Sequence, residues 1–275
     1  MKVVITGASG FLGRSVIRRF SGTAHTVVPV SRRMLPGLFH AARYADAPGG
    51  DVLMHLAESA DRAAAGQNGA AYEHETSTNL NALLKKRYQR VIYASSAVLY
   101  GDRAQTSRQP ADEIFVSDTY TRVKRHSEIA VLDSPGGVVA RLGNLFGPGM
   151  SNDNVMSTIL RQIPGDGPVR VRDTRPIRDF LWVDDGADVL VRMAVGTGAG
   201  IFNVGSGVGH SVGDLVSVAL GVGGQPDRPV VAMHPGARAS HLVLDISDTV
   251  SAWQWSPETT LVEGIRRLLS ATAHP

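Results

Sequence analysis

The apolar residues open with a short run, Val3-Val4-Ile5, and then fall into a stripe in which Leu12, Val16 and Phe20 recur every four positions. Arg14, Arg18 and Arg19 lie between them, so the pattern predicts a strand, a turn and an amphipathic helix from Gly10 to about Phe20, ended by Gly22. Further apolar runs predict strands at 26–31, 51–57, 90–96 and 138–141, and helical spacing predicts helices at 72–86 and 119–132. A helix and another strand are expected between residues 34 and 47, before Pro48-Gly49-Gly50 breaks the pattern. Alternating strands and helices call for an α/β protein with a doubly wound parallel sheet covered on both faces. From Asn144 onward loops punctuated by Pro148, Gly149, Pro164 and Pro168 dominate. Three units stand out there: residues 178–183 before a helix capped by Asp184, a strand at 201–204, and a helix capped at Ser211 and stopped by Gly221.

The first turn, Thr6-Gly7-Ala8-Ser9-Gly10-Phe11-Leu12-Gly13, carries chemistry. Gly7 allows a tight turn, Gly10 lets backbone approach a phosphate, and Gly13 permits close packing of helix on strand. Amide N–H groups from Ser9 to Leu12 then converge at a helix N-terminus, where a pyrophosphate is held. The fold class expected is therefore Rossmann-type, with an NAD(P)-binding domain over residues 1–145, a returning segment near 180–205, and a smaller C-terminal α/β substrate-binding lobe over about 146–275. The second strand ends in Ser31-Arg32-Arg33. A carboxylate at this position accepts from the ribose 2′-OH of NAD, whereas arginine accommodates the 2′-phosphate of NADP. NADP(H) is thus the preferred cofactor, with NAD(H) the other possibility. His55, Leu56 and Ala57 end the next strand at the edge where ligands of parallel sheets lie.

Composition narrows the picture by exclusion. The absence of cysteine removes disulfides, thiolate nucleophiles and cysteine metal sites, and no metal is expected. The net charge of +3 is spread along the chain, which argues against a nucleic-acid partner. No apolar run approaches the ~20 residues of a membrane span. The first strand begins at Lys2, which leaves no room for a signal peptide, so cytoplasmic residence is expected.

Ser96, Tyr120 and Lys124 form the candidate catalytic group: a serine at a strand end, and a tyrosine and lysine four apart on one helix face. For a tyrosine to act as a base near neutral pH, its ordinary value of ~10 must fall by about 3 units, or roughly 4 kcal/mol. Donating a proton during ketone reduction makes no such demand, so the group suits reduction. Ser96 would hold the carbonyl oxygen, Tyr120 pass the proton, and Lys124 hold the nicotinamide ribose.

Taken in order, these segments resemble the extended short-chain dehydrogenase/reductase family of nucleotide-sugar epimerases, dehydratases and reductases. The resemblance rests on Thr6-Gly7-x-x-Gly10-x-x-Gly13, His55-Leu56-Ala57, Ser95-Ser96-Ala97-Val98-Leu99-Tyr100-Gly101, Tyr120-x-x-x-Lys124, Arg141-x-x-Asn144-x-x-Gly147-Pro148, Arg178-Asp179-Phe180-x-Trp182-Val183-Asp184-Asp185 and Phe202-Asn203-Val204-Gly205. It implies that Ser96 is the catalytic serine and that Asn144 and Arg178 contact a nucleotide sugar, the arginine at its diphosphate. It also implies a homodimer formed through helices 72–86 and 119–132, with Ile129 and Leu132 as apolar contacts. The chain departs from the family pattern in two places. The acidic pair of the 4,6-dehydratases is missing beside Ser96, which argues against dehydration, and the arginine usual before Pro-Gly-Asp is absent from His234-Pro235-Gly236-Ala237, leaving Arg238 as substitute. Asn79 is the stand-in for the asparagine that holds an active-site water. The leading expectation is an NADPH-dependent 4-ketoreductase of a dTDP-linked keto-deoxysugar. An NAD-dependent nucleotide-sugar 4-epimerase is the alternative, and a non-catalytic cofactor-binding regulator is a third.

Overall fold

A computed structural model describes residues 1–59, 61–236 and 240–273. The chain runs through β1 (Lys2–Thr6), α1 (Phe11–Phe20), β2 (Thr26–Ser31), β3 (Phe39–His40), β4 (Val52–His55), α2 (Arg62–Leu84), β5 (Arg90–Ser96), α3 (Thr119–Leu132) and β6 (Gly137–Leu142). It then leaves the sheet for β7 (Asn144–Phe146), α4 (Val155–Leu160), β8 (Val169–Val171) and β9 (Ile177–Trp182), and α5 (Val183–Val195) leads back to β10 (Gly200–Val204), parallel to β6. The seven parallel strands lie in the order β10-β6-β5-β4-β1-β2-β3. This is a Rossmann-type sheet with helices on both faces.

Burial on both faces explains the unbroken apolar runs, since a strand covered by helices above and below has no polar side. Ile5, Met54, Ile92 and Ala140 pack with Val16 and Phe20 of α1 and Ala187, Leu190 and Met193 of α5. Val4, Leu53, Val91 and Tyr93 pack on the opposite face with Leu80 and Leu83 of α2 and Val131 of α3.

The rest of the chain comprises β11 (Gly209–Ser211), α6 (Val212–Val222), β12 (Val230–Ala232), β13 (His241–Leu242), α7 (Ser247–Trp253) and α8 (Leu261–Ala273). β11, β9 and β13 form a second sheet in which β7 also pairs with β9, and β12 pairs with β8. Phe146, Ile159, Phe180, Trp182, Leu215, Val216 and Ile265 form a separate core there.

Four elements differ from expectation. Between β2 and β4 there is no α-helix, only β3 and a 3-10 helix at Tyr44–Asp46. Pro36 and Gly37, the latter at φ 75°, take up residues that a helix would need. α2 begins at Arg62, well before residue 72, because Asp61 accepts from the Ala64 N–H at 2.9 Å and caps it; the helix kinks at Gly69 (φ 45°). α5 is preceded by Trp182, and Asp184 lies in its first turn instead of capping it, paired with Arg18 at 2.8 Å. α6 is capped by Ser211 in a reciprocal box with Asp214 but continues through Gly221 to Val222, since one helical glycine costs only about 1 kcal/mol.

Candidate active site

The glycine turn follows β1 at the carboxyl edge of the sheet. Gly7 has φ 75°, and a Cβ there would lie 2.5 Å from the Leu56 carbonyl oxygen of the adjoining β4 loop. A Cβ on Gly13 would lie 2.2 Å from the Gly7 oxygen, so α1 can start this close to β1 only with glycine. Gly10 donates its N–H to Gly7 O at 2.9 Å and is the N-cap residue of α1. No side chain caps α1 and its first turn holds no acid, so no side chain competes with an anion for the amide groups of that turn. These features fit a dinucleotide pyrophosphate at Ser9-Gly10-Phe11-Leu12.

At the end of β2 the buried Ser31 donates to the Ser9 hydroxyl at 3.0 Å and accepts from Arg33 N at 3.0 Å, tying the arginine loop to the glycine turn. Arg32 lies 5.4 Å from the Tyr44 ring centroid and pairs with Glu75 of α2 at 3.1 Å. Both partners are more than half exposed, so the pair contributes about 1 kcal/mol or less.

His55 ends β4 in full burial, with Nδ1 2.7 Å from Thr6 Oγ1 and its ring stacked on Tyr93 at 6.0 Å. Burial pulls this imidazole down to about 4, so it is neutral at physiological pH. The next residues, Leu56 and Ala57, run past Gly7 through the space its missing Cβ leaves.

Asp118 starts α3 through a capping box with Thr121, accepting from Thr121 N at 2.8 Å. One turn of helix then brings Tyr120 and Lys124, both buried, to the same face, with Nζ 5.8 Å from the Tyr120 ring centroid. Lys124 donates to Ala94 O at 2.9 Å, which fixes it two residues short of Ser96 on β5. Ser96 accepts from Val98 N at 3.3 Å and caps the 3-10 helix Ala97–Tyr100.

Sequence reasoning missed Glu58. Its side chain is 3% exposed and its Oε2 lies 3.0 Å from Lys124 Nζ. Ser127 donates to its other oxygen at 2.6 Å, and Tyr93 donates to Oε2. Burial pushes this carboxyl up, but Lys124, His55 and the two hydroxyls outweigh burial and hold it below its ordinary value. Lys124 in turn is pulled down by burial and raised further by Glu58 and Tyr120, ending above its ordinary value. The available signal was a carboxylate placed directly after an apolar strand end, where water is scarce.

Several motif residues hold the frame. Arg141 on β6 makes two hydrogen bonds to buried Glu128 of α3, at 2.9 and 2.8 Å, and Ser95 donates to the same carboxylate at 2.6 Å. Asn203 accepts from the Tyr100 hydroxyl at 2.7 Å and donates to Arg108 O and Asp245 O. Asp179 accepts from Ser206 N and Oγ, and a Cβ on Gly205 would lie 2.4 Å from its carboxylate. Asn79 accepts from Ala45 N at 3.1 Å and so ties α2 to the 3-10 turn before β4.

On the substrate side, Asn144 is exposed on β7 opposite Phe180 of β9. Arg178, on β9, donates to Ser240 Oγ at 2.7 Å and lies 3.6 Å from Asp102. Arg238 lies outside the described residues. The glycine turn, His55, Glu58, Tyr120 and Lys124 therefore gather at one edge of the main sheet, while Arg178 and Asn144 lie on the second sheet. No helix among the described residues is long and apolar enough to cross a membrane.

A parallel sheet of this order, with the glycine turn and the Tyr120-x-x-x-Lys124 pair, defines an NAD(P)-dependent oxidoreductase of the short-chain dehydrogenase/reductase type. The chain belongs to the NAD dependent epimerase/dehydratase family, whose profile matches residues 3–205. It is 24% identical to UDP-glucuronic acid decarboxylase 1 of Arabidopsis thaliana over 98% of this chain and 69% of that protein. Among solved structures, MoeE5 in complex with UDP-glucose and NAD superposes with a TM-score of 0.85 at 23% identity, covering 99% of both chains. RMD from Pseudomonas aeruginosa complexed with NADPH superposes with a TM-score of 0.83 at 24% identity, covering 98% of this chain and 97% of that one. The chain spans about two thirds of the length of the first two Arabidopsis decarboxylases it matches.

Proposed function

We propose that this protein is an NADPH-dependent 4-ketoreductase of a nucleotide-linked, dTDP-type keto-deoxysugar. The observation that carries this reading is the end of β2, where Ser31 is bonded to the glycine turn and is followed by two guanidiniums and no carboxylate. A 2′-phosphate at that point exchanges the weak, exposed Arg32–Glu75 pair for a stronger charge-assisted one. When bound, the cofactor supplies the hydride. Tyr120 donates its hydroxyl proton to the oxygen of the reduced carbonyl, and Ser96 holds that oxygen by a hydrogen bond. Lys124, anchored by Ala94 O, keeps the Tyr120 side of the cleft in register and reaches the nicotinamide ribose. Gly7, Gly10 and Gly13 admit the pyrophosphate, and His55, Leu56 and Ala57 line the wall beside it. Asn144, Arg178 and Arg238 complete the proposal as contacts to the sugar nucleotide.

The Arg32–Glu75 pair also favours one alternative, because Glu75 brings to the ribose the carboxylate that β2 lacks. An NAD-dependent 4-epimerase would use it. Incubation with a dTDP-4-keto-6-deoxysugar separates the two. Stoichiometric loss of NADPH absorbance, reduced at least about 100-fold in Tyr120→Phe with NADPH binding retained, is the expected result. Turnover of a nucleotide sugar with no net change in cofactor would replace the reductase by the epimerase. Cytoplasmic residence and a homodimer through α2 and α3 belong to the same proposal.

A further inference from the structure

The catalytic lysine of this chain does not enter the cleft as a lone cation. Glu58 stands one residue beyond the His55-Leu56-Ala57 wall, and its carboxylate is 3.0 Å from Lys124 Nζ. Both side chains are buried, at 3% and 6% exposure, so no bulk water screens the pair. The carboxylate is kept ionised by the Ser127 and Tyr93 hydroxyls as well as by Lys124. The titratable groups around the pair are His55 from β4, Tyr93 from β5 and Tyr72 from α2, with Tyr120 of α3 beside Lys124. His55 is neutral and burial holds Tyr72 and Tyr93 as phenols, so Lys124 and Glu58 carry opposite formal charges that cancel one another. Glu58 and Arg32 both line a cavity of about 260 Å³ at this edge of the sheet.

We propose that Glu58 is a positioning residue that makes the Lys124 end of the cleft electrically neutral, so that the site accepts the positively charged oxidised nicotinamide as well as the neutral reduced ring. This rests on the reading that Lys124 meets the nicotinamide ribose. An oxidised ring carries one positive charge that the reduced ring lacks. An unpaired, desolvated Lys124 would therefore repel only the oxidised cofactor, and the carboxylate removes that bias. Its effect is on the ratio of the two affinities, whereas loss of packing would weaken both together.

Glu58→Gln removes the charge while keeping the shape. Dissociation constants of NADPH and NADP⁺ are measured calorimetrically for both proteins at pH 6.5. The expected result is that NADP⁺ weakens about tenfold more than NADPH. An equal change in both affinities, or no change in either, overturns the proposal. Should Glu58→Gln fail to fold, Glu58→Asp keeps a carboxylate but draws it back from Lys124, and a smaller shift in the same ratio is expected; an unchanged ratio there overturns it equally. The measurement needs only dinucleotide binding, so absence of keto-sugar turnover by the wild-type protein would defeat the reductase reading and leave this one standing.

Discussion

His55 shows how burial sets the chemistry of a single residue. Folded, it resists protonation down to about 4 because charging it would place a cation in a dry cavity against Thr6 and Tyr93. Unfolded, it titrates at its ordinary 6.5. Between these values the unfolded chain binds the extra proton, so stability is complete above 6.5 and declines as the pH falls toward 4. His55 alone is expected to cost about 2 kcal/mol between pH 7 and pH 5. Thermal melts at the two pH values check this, and His55→Gln should show a visibly smaller drop. At the same scale, Arg32 illustrates a residue whose type was readable and whose partner was not. Two arginines after β2 are what the sequence offers a phosphate, but nothing local says that Glu75, on α2, comes within 3.1 Å of Arg32.

At the scale of elements, what joins strand to helix is polar as much as apolar. Arg141 of β6 and Glu128 of α3 are buried at 2% and 0% side-chain exposure and bonded through two contacts, with Ser95 of β5 as a third member. Desolvating both charges largely offsets their attraction, so the pair is a poor source of net stability but an expensive one to break. Arg141→Met is expected to destabilise the protein by about 3–5 kcal/mol, since it leaves Glu128 in the core with only Ser95 and the more distant, partly exposed Arg125 at 3.5 Å. Adding Glu128→Leu should recover most of that loss, and urea denaturation of the single and double variants reads both. The strand β5 and the helix α3 were legible with accurate ends because an apolar run and a capping residue are local signals. The segment from 34 to 47 was not, since its residues follow the needs of a shortened connection.

For the whole molecule, one exposed feature is the groove between α2 and α3, a cavity of about 350 Å³ lined in part by Leu80, Val116, Val123 and Ile129. Ile129 is 45% exposed there, while Leu132 packs partly against the main core, so the two apolar residues named from the sequence divide their work. If α2 and α3 form the dimer, Ile129→Arg should convert a sedimenting dimer to monomer with the melting temperature of the dilute protein little changed. Sedimentation velocity of both proteins tests it.

The linear chain by itself determined the alternating sheet, the glycine turn and the Tyr120–Lys124 face, because each depends on spacings of a few residues that fix backbone geometry or helix side. It also carried the family motifs, but not the division of labour within them. Arg141, Asp179 and Asn203 hold the frame, and Glu58, outside every motif, pairs with Lys124. Only the tertiary structure decided those roles. Whether a buried charge is a brace or a tool depends on which partner lies within about 3 Å, and partners such as Glu58 and Lys124 approach through packing of distant elements that no local pattern encodes.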